Sequence, residues 1–216
     1  MYTTCGLRVI GNWLMVIGSL VVYSNCANGH APVAGDVYIY GGPLVSRTIT
    51  WSRESRRDSP FLGGGILVAE GDFDQDGGLE IGLLAVDKYY IRSRDDSALT
   101  QKIYRLDITT GYKRWLASFV GVGIGVYSAY SMGDPRTVGS EAGSNTTEYD
   151  TSATRTEEYG LDASLDAEIE FSDRVFGLVG ARYQISETRK RHESADLFCA
   201  TIAVKYFLPK PRIAHH

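Results

Sequence analysis

Apolar and polar positions alternate without a break over residues 159–171. The apolar set begins at Tyr159 and ends at Phe171, and the positions between its members are glycine, serine, aspartate or glutamate. A period of two predicts a β-strand with one apolar face and one charged face. The run exceeds the roughly five or six residues common in soluble sheets. A tilted strand that crosses a bilayer needs about 9–11 residues, with lipid on one face and a polar lumen on the other. The pattern therefore predicts a membrane-spanning strand.

Similar runs, separated by turn-forming residues, predict eight strands in all. Strands four, five, seven and eight alternate well, whereas the first three alternate less cleanly, and Asp87 in particular would need a bulge to fit. The predicted strands lie near residues 36–52, 61–73, 79–92, 99–114, 117–131, 157–171, 174–187 and 195–208.

The connections between these strands alternate in length. Long polar connections are predicted near 52–60, 92–100, 132–157 and 186–194. Short turns are predicted at 74–78, 114–117 and 172–173. This rhythm is typical of an outer-membrane barrel with long external loops and short periplasmic turns. The predicted fold class is all-β, an eight-stranded antiparallel up-and-down transmembrane β-barrel over residues 34–208, with a short periplasmic tail over 209–216.

The first 26 residues have the pattern of a signal peptide. Arg8 precedes an apolar run from Val9 to Val22, and small residues near Cys26 favour cleavage after that residue. Cleavage near Ala31, a lipoprotein cysteine at Cys26 and a retained N-terminal anchor are the alternatives. Removing residues 1–26 leaves about 190 residues, enough for one domain.

Charge and cysteine content narrow the function classes. The 216-residue chain has a formal net charge of −4, which does not suggest nucleic-acid binding. Beyond the predicted leader, Cys199 is the one remaining cysteine, so neither a disulfide framework nor a zinc site is predicted. Packing inside a strand is its predicted role.

Three segments resemble a known family. They are Gly111–Trp115 leading into Phe119–Val126, then Phe176–Tyr183, and then Ala200–Leu208. The chain resembles the small eight-stranded outer-membrane β-barrel proteins of the OmpA/OmpX type over essentially everything after the leader. The resemblance implies location in the bacterial outer membrane, contact with its lipid and lipopolysaccharide, and assembly by the barrel-insertion machinery. Such barrels often end on an aromatic residue, whereas here Pro209 to His216 follow the last strand.

An eight-stranded barrel has an interior just wide enough for side chains to fill. Charges of both signs there should form ion pairs, because an unpaired buried charge is costly. We expect Arg182 to pair with the acidic face of strand 157–171. The predicted lumen network comprises Glu80, Arg105, Asp107, Asp162, Asp166, Glu168, Glu170, Arg182 and Lys205. The predicted interfacial aromatic girdle comprises Trp51, Trp115, Tyr159, Phe171, Tyr183 and Tyr206.

The same acidic face leaves a second function open. Asp162, Asp166, Glu168 and Glu170 could line a narrow cation-preferring pore, whereas a purely structural network would only hold the barrel closed. A soluble lipocalin-like barrel is a further alternative, and it would need its apolar face turned inward.

No catalytic, cofactor or metal site is predicted. His192, Glu193 and Ser194 are nominally a base, an acid and a nucleophile, but their flanking residues do not match the lipid A-modifying barrel enzymes. The preferred interpretation is a solvated basic loop. Together with Arg53, Arg56 and Arg57, this loop could contact lipopolysaccharide phosphates. Residues 72–80 partly resemble a calcium loop, although aspartate and glycine also suit a hairpin.

The sequence thus favours a non-enzymatic outer-membrane barrel with a structural or surface-interaction role. We expect an unidentified external partner to bind through the loops, at 132–157. A lipid A-modifying enzyme remains the third function.

Overall fold

The computed structural model describes residues 33–50, 59–73, 77–94, 97–141 and 150–209, and almost all of them are in β-strands. The predicted signal peptide 1–26, Trp51 and residues 210–216 of the predicted tail lie outside these ranges. Within them, no helix is long and apolar enough to cross a bilayer. The strands are β1 Val37–Ile49, β2 Leu62–Asp72, β3 Gly77–Arg94, β4 Ser97–Ala117, β5 Val120–Ser131, β6 Arg136–Glu141, β7 Glu157–Ser172, β8 Val175–Ser186, β9 Glu193–Ser194 and β10 Asp196–Leu208.

Eight of these strands form a closed antiparallel barrel, which confirms the predicted fold class. The order around the wall is β1, β2, β3, β4, β5, β7, β8 and β10, and each strand pairs with its neighbour. The wall closes where β1 pairs with β10, from Val37 opposite Leu208 to Ile49 opposite Asp196. Closure removes the free sheet edges that an open sheet would leave unpaired.

The apolar side chains face outward, as the alternation predicts for a membrane barrel. Ile124 and Ile202 are 69% and 68% exposed on the outer face. The neighbouring positions of the same strands point into the lumen, because successive side chains of a strand alternate between faces. The lipocalin-like alternative required an apolar face turned inward, so it does not fit this arrangement.

Asp87 fits the outer face without the predicted bulge. The pairing of β3 with β4 runs from Gly77 to Arg94 without a shift. Asp87 points outward and forms an ion pair with Lys102 on β4, with 2.9 Å between Oδ2 and Nζ. A charged partner on the adjacent strand therefore replaces the irregularity that the sequence suggested.

Two predicted connections are shorter than expected. The predicted loop 92–100 is mostly strand, since Arg92 pairs with Leu99 and Arg94 pairs with Ser97. The predicted turn at 114–117 belongs to β4, and a two-residue turn at 118–119 follows it. The backbone hydrogen bonds of a β-ladder do not require alternation of apolar and polar residues. The strands therefore continue beyond the ends that the apolar alternation predicts.

The long connections lie at one end of the barrel and contain their own short elements. β6 pairs with the outer part of β4, β9 pairs with Ile91 and Arg92 of β3, and a short 3-10 turn spans Ser152–Thr154. At the opposite end, the Phe73 amide donates to the Gly77 carbonyl oxygen across 2.9 Å, which brings β2 and β3 together. Residues 74–76 of the predicted hairpin lie outside the described ranges.

Candidate functional site in the barrel lumen

Two buried lysines occupy the lumen near its turn end. The Lys113 Nζ lies 3.1 Å from Glu70 Oε2, 3.1 Å from Asp166 Oδ2 and 3.6 Å from Glu168 Oε1. The Lys205 Nζ lies 2.9 Å from Glu70 Oε1 and 2.8 Å from Glu168 Oε1. All five side chains are at most 5% exposed. Each charge therefore has a partner of opposite sign, which offsets the cost of removing it from water.

A second ion-paired group lies in the middle of the lumen. The Arg182 Nη1 donates to Asp162 Oδ2 across 2.8 Å, and its Nη2 donates to Glu80 Oε1 across 3.0 Å. The predicted pairing of Arg182 with the acidic face of residues 157–171 is thus present. Tyr40 also donates to Glu80 Oε1 across 2.6 Å, and Arg182 reaches Thr109 across 3.2 Å. These hydrogen bonds join side chains from five different strands across the interior of the barrel.

A third group closes the lumen toward the loops. Glu158 accepts hydrogen bonds from Lys88, Tyr90 and Tyr127, the last across 2.6 Å. The Arg105 Nε lies 4.0 Å from Glu158 Oε2. Both carboxylate oxygens of this buried glutamate are occupied by donors that come from β3 and β5.

Not every polar group in the lumen is paired. Asp107 Oδ1, Asp162 Oδ1 and both amide atoms of Gln184 have no hydrogen-bond partner within the described part of the chain. Asp162 and Gln184 face each other across β7 and β8. A cavity of about 10 Å³ beside Tyr40, Asp166 and Arg182 has room for about one water molecule.

An apolar cluster fills part of the interior. It lies on β1, β2, β3, β8 and β10, and it includes Cys199, which is 3% exposed and packs inside a strand. Its members are Tyr40, Leu44, Ile66, Val68, Leu84, Val86, Leu178, Leu197, Cys199 and Ala203.

The loop end of the lumen is covered by the 3-10 turn. The Glu193 carboxylate accepts from the Ser152 amide across 2.8 Å and from the Ser152 hydroxyl across 2.5 Å. Ala153 packs against Tyr90 and its neighbours in a small buried cluster. The adjoining Asp150 is exposed, and a hydrogen bond from Lys190 holds the pKa of Asp150 below its usual range. These contacts join two connections that are distant in sequence over the mouth of the barrel.

Most of the predicted network residues are buried in the lumen, with one difference. Glu80, Arg105, Asp107, Asp162, Asp166, Glu168, Arg182 and Lys205 are buried. Glu170 is only half-buried, at the end of β7 where the pairing with β8 shifts between Glu170 and Ser172. It makes no ion pair with a described residue.

The predicted girdle needs one correction. Tyr159, Phe171 and Tyr206 are exposed on the outer face, and Tyr183 is half-buried there. Trp115, by contrast, is 7% exposed and lies inside the lumen, where the Lys113 Nζ is 4.5 Å from its ring centre. It shares the inward face of β4 with Arg105 and Lys113, so the alternation of that strand places it inside. Other exposed aromatic residues are Phe61, Phe73, Tyr104, Tyr112 and Tyr130.

The three residues of the nominal catalytic group do not form a triad. His192 is exposed and has a positive φ of 59°. Glu193 turns toward Ser152 and the Lys190 amide, and Ser194 is buried in β9. Across the described ranges, no group of three histidine, cysteine, aspartate or glutamate side chains is arranged to hold a metal ion.

Glu70, Lys113 and Glu158 belong to the lumen network but were not among the residues predicted for it. Glu70 lies on β2, where Gly63–Gly65 removes the contrast between the two faces. Lys113 has the same parity on β4 as Arg105, and this signal would have identified it. Glu158 has the same parity on β7 as Asp162, so extending the alternation of 159–171 by one residue toward the N-terminus would have placed it in the lumen.

Comparisons with known proteins bear on the fold. No family model and no curated protein matches the chain. Among solved structures, the outer-membrane protein OprG of Pseudomonas aeruginosa is 15% identical with a TM-score of 0.54, covering 84% of this chain and 99% of OprG. Ail, the attachment invasion locus protein of Yersinia pestis, is 11% identical with a TM-score of 0.48, covering 82% of this chain and 100% of Ail. Neisserial surface protein A is 12% identical with a TM-score of 0.45, covering 79% of this chain and 96% of that one.

The similarity to OprG spans nearly the whole of both barrels, and at this identity it concerns the fold alone. It agrees with the closed antiparallel wall described above. The chain is therefore an eight-stranded β-barrel with the fold of the small outer-membrane β-barrel proteins.

Proposed function

We propose that this protein is a non-enzymatic barrel of the bacterial outer membrane, with a structural or surface-interaction role and a lumen closed by side chains. The single observation that carries the proposal is the buried ion-pair network. The groups around Lys113, Arg182 and Glu158 follow one another from the turn end of the lumen to the loop end.

The outer surface supports the membrane location. Large aliphatic residues such as Leu67, Ile124 and Val204 are more than half exposed, which is costly in water and favourable in lipid. Aromatic residues stand near both ends of this surface, with Tyr159 at the loop end and Phe171 at the turn end. Such a band with aromatic girdles is characteristic of outer-membrane barrels. In outer-membrane barrels the long connections face the cell exterior and the short turns face the periplasm, and we infer the same orientation here.

The filled lumen argues against the cation-preferring pore. Asp166 and Glu168, two of its proposed lining residues, both lie within 4 Å of the Lys113 ammonium. A hydrated cation would have to displace this lysine, leaving buried carboxylates without their partner. His192 is exposed, Ser194 is buried in β9, and the Glu193 carboxylate is bound to Ser152, so the three nominal residues lack the geometry of a triad. This likewise favours a non-enzymatic role over lipid A modification.

The outer connections are the best candidates for contact with an external partner. β6 and the outer parts of β3 and β4 extend the sheet beyond the ends of β2 and β7. Val138 on β6 and Met132 before it are 48% and 56% exposed. A rigid sheet that presents apolar side chains above the barrel suits binding of another molecule.

Conductance measurement tests the closed lumen. The refolded protein is added to planar lipid bilayers, and a large porin recorded in the same bilayers serves as the positive control. Heat-dependent migration on a denaturing gel first establishes that the added protein is folded. We expect no discrete conductance steps from the folded barrel. Cation-selective steps that disappear in Asp166→Asn and Glu168→Gln variants would favour the pore instead.

A further inference from the structure

An open groove of about 690 Å³ lies at the loop end of the barrel, beside β8. Its floor includes Tyr183 and Ile185, which face outward because Arg182 and Gln184 occupy the lumen side of the same strand. The groove therefore continues the lipid-facing surface of the wall. Its rim is formed by the connection after β8, where Arg189, Lys190, Arg191 and His192 follow one another.

Arg189 is held in this groove by a buried acid. Its Nη1 donates to Asp196 Oδ1 across 2.9 Å, and Asp196 is 3% exposed. The same carboxylate accepts from the Ser186 amide across 3.1 Å and from the Tyr183 hydroxyl across 3.3 Å. A guanidinium has five N–H groups, so an Arg189 anchored through one nitrogen keeps donors for a ligand.

The accessible charge of the groove is positive. Asp196 is buried beneath Arg189, and Glu193 turns inward to Ser152 and the Lys190 amide, so neither carboxylate is presented to a ligand. Lys190 pairs with Asp150, which is an exposed acid beside the rim. Arg191 is exposed and has no ion pair with a described residue. Guanidinium groups bind phosphate with two parallel hydrogen bonds, which an ammonium cannot do.

We infer that this groove binds the phosphate groups of lipid A, the membrane anchor of lipopolysaccharide. The acyl chains would lie along the apolar wall near Ile185, and a phosphate would contact Arg189 and Arg191 above it. The position of the groove at the loop end of an apolar belt favours a lipid phosphate over a soluble anion. The inference rests on the proposed location in the outer membrane, because that leaflet supplies the ligand.

Binding of purified lipid A to the folded protein tests this inference. The full barrel in zwitterionic detergent is titrated with lipid A carrying two phosphates, and with dephosphorylated lipid A, and the bound fraction is read by native mass spectrometry. The test variant is Lys190→Gln combined with Arg191→Gln, which leaves the Arg189–Asp196 pair intact. The matched control is Arg174→Gln, which removes an exposed cation at the opposite end of the barrel.

We expect the double variant to bind phosphorylated lipid A at least about tenfold more weakly, the loss expected for charge-assisted contacts. We expect the Arg174→Gln control to bind as the native chain does, and dephosphorylated lipid A to bind the native chain weakly. Equal binding by both variants, or no preference for phosphorylated lipid A, would overturn the inference. Competition by inorganic phosphate at the concentration of lipid A would also overturn it, by indicating a site for free anions.

Failure of the inference is distinguishable from failure of the proposed function. All variants are checked for heat-dependent gel migration before titration. If the folded, membrane-associated barrel binds phosphorylated and dephosphorylated lipid A equally, the lipid A site is rejected and the proposed function still stands. A chain without heat-dependent migration, found outside the outer membrane, would contradict both.

Discussion

Lys113 shows at the level of a single residue how the barrel tolerates charges in its interior. Its ammonium contacts three carboxylates, and its side chain is fully buried between Tyr40 and Trp115. Lys205 shares two of those carboxylates. Removing the Lys113 ammonium would leave Glu70 and Glu168 to share Lys205 and would leave Asp166 without its lysine partner. A buried charge that loses its partner is strongly destabilising.

Replacing this lysine should therefore weaken the barrel. We expect Lys113→Met to lower the free energy of unfolding by about 3–5 kcal/mol, the usual range for breaking a buried ion pair. Reversible urea unfolding in lipid vesicles measures the change. Lys102→Met is the matched control, because Lys102 pairs with Asp87 on the outer face, where both side chains are about one-third exposed. It should cost less than about 1 kcal/mol. Equal losses in the two variants would contradict a structural role for the lumen network.

Individual residues also show where sequence patterns stop being informative. Arg182, Asp162 and Glu168 lie in the lumen, where the strict alternation of their strands puts them. Trp115 was predicted to belong to the girdle, but it lies in the lumen and is 7% exposed. Its parity with Arg105 was the better guide, and it places the ring beside Lys113. Which acid pairs with which base depends on distances across the lumen, and a pattern along one strand contains no such information.

At the level of elements, the eight barrel strands were predictable within a few residues. Their alternation reflects a physical contrast between lipid and lumen. The outer parts of β3 and β4 lie beyond that contrast, so the sequence there resembled a loop although the backbone pairing continues to Arg94 and Ser97. β6 and β9 were missed for the same reason, since both are short and lie within long polar connections.

The 3-10 turn over the mouth depends on a neighbouring connection that sequence spacing does not link to it. Glu193 accepts two hydrogen bonds from Ser152, and Arg105 Nη2 donates to the Arg155 carbonyl oxygen across 3.1 Å. The turn should therefore open more readily when Glu193 is lost, while the barrel wall stays paired. Local opening of this kind is what exposes a backbone to proteases.

We expect Glu193→Ala to speed tryptic cleavage after Arg155 about 5–30-fold, which corresponds to the loss of one to two kcal/mol. Such a loss is typical when buried donors lose their acceptor. The rate is followed by mass spectrometry of the fragment that ends at Arg155, using the folded protein in membranes. Glu187→Ala is the control, because Glu187 is exposed in the same connection. If both variants are cut at the native rate, Glu193 does not hold the turn.

At the level of the whole molecule, the closed wall, the apolar belt and the ion pairs across the lumen support the proposed barrel, which spans a membrane without opening it. The long connections and the short turns lie at opposite ends. In an outer membrane this arrangement puts Arg191 outside the cell and Arg174 in the periplasm. Cys199 lies between them in the apolar part of the lumen, where it is 3% exposed.

Thiol labelling at these three positions tests the central claim most directly. For this experiment, Cys5→Ser and Cys26→Ser are introduced so that Cys199 is the one native thiol left. A membrane-impermeant maleimide is then applied to three proteins: this parent, the parent with Arg191→Cys, and the parent with Arg174→Cys. We expect Arg191→Cys to label in intact cells and Arg174→Cys to label only after the outer membrane is permeabilised. The parent thiol of Cys199 should label only after the barrel is unfolded. Labelling of Cys199 in the folded protein, or of Arg174→Cys in intact cells, would contradict a closed barrel that spans the outer membrane in this orientation.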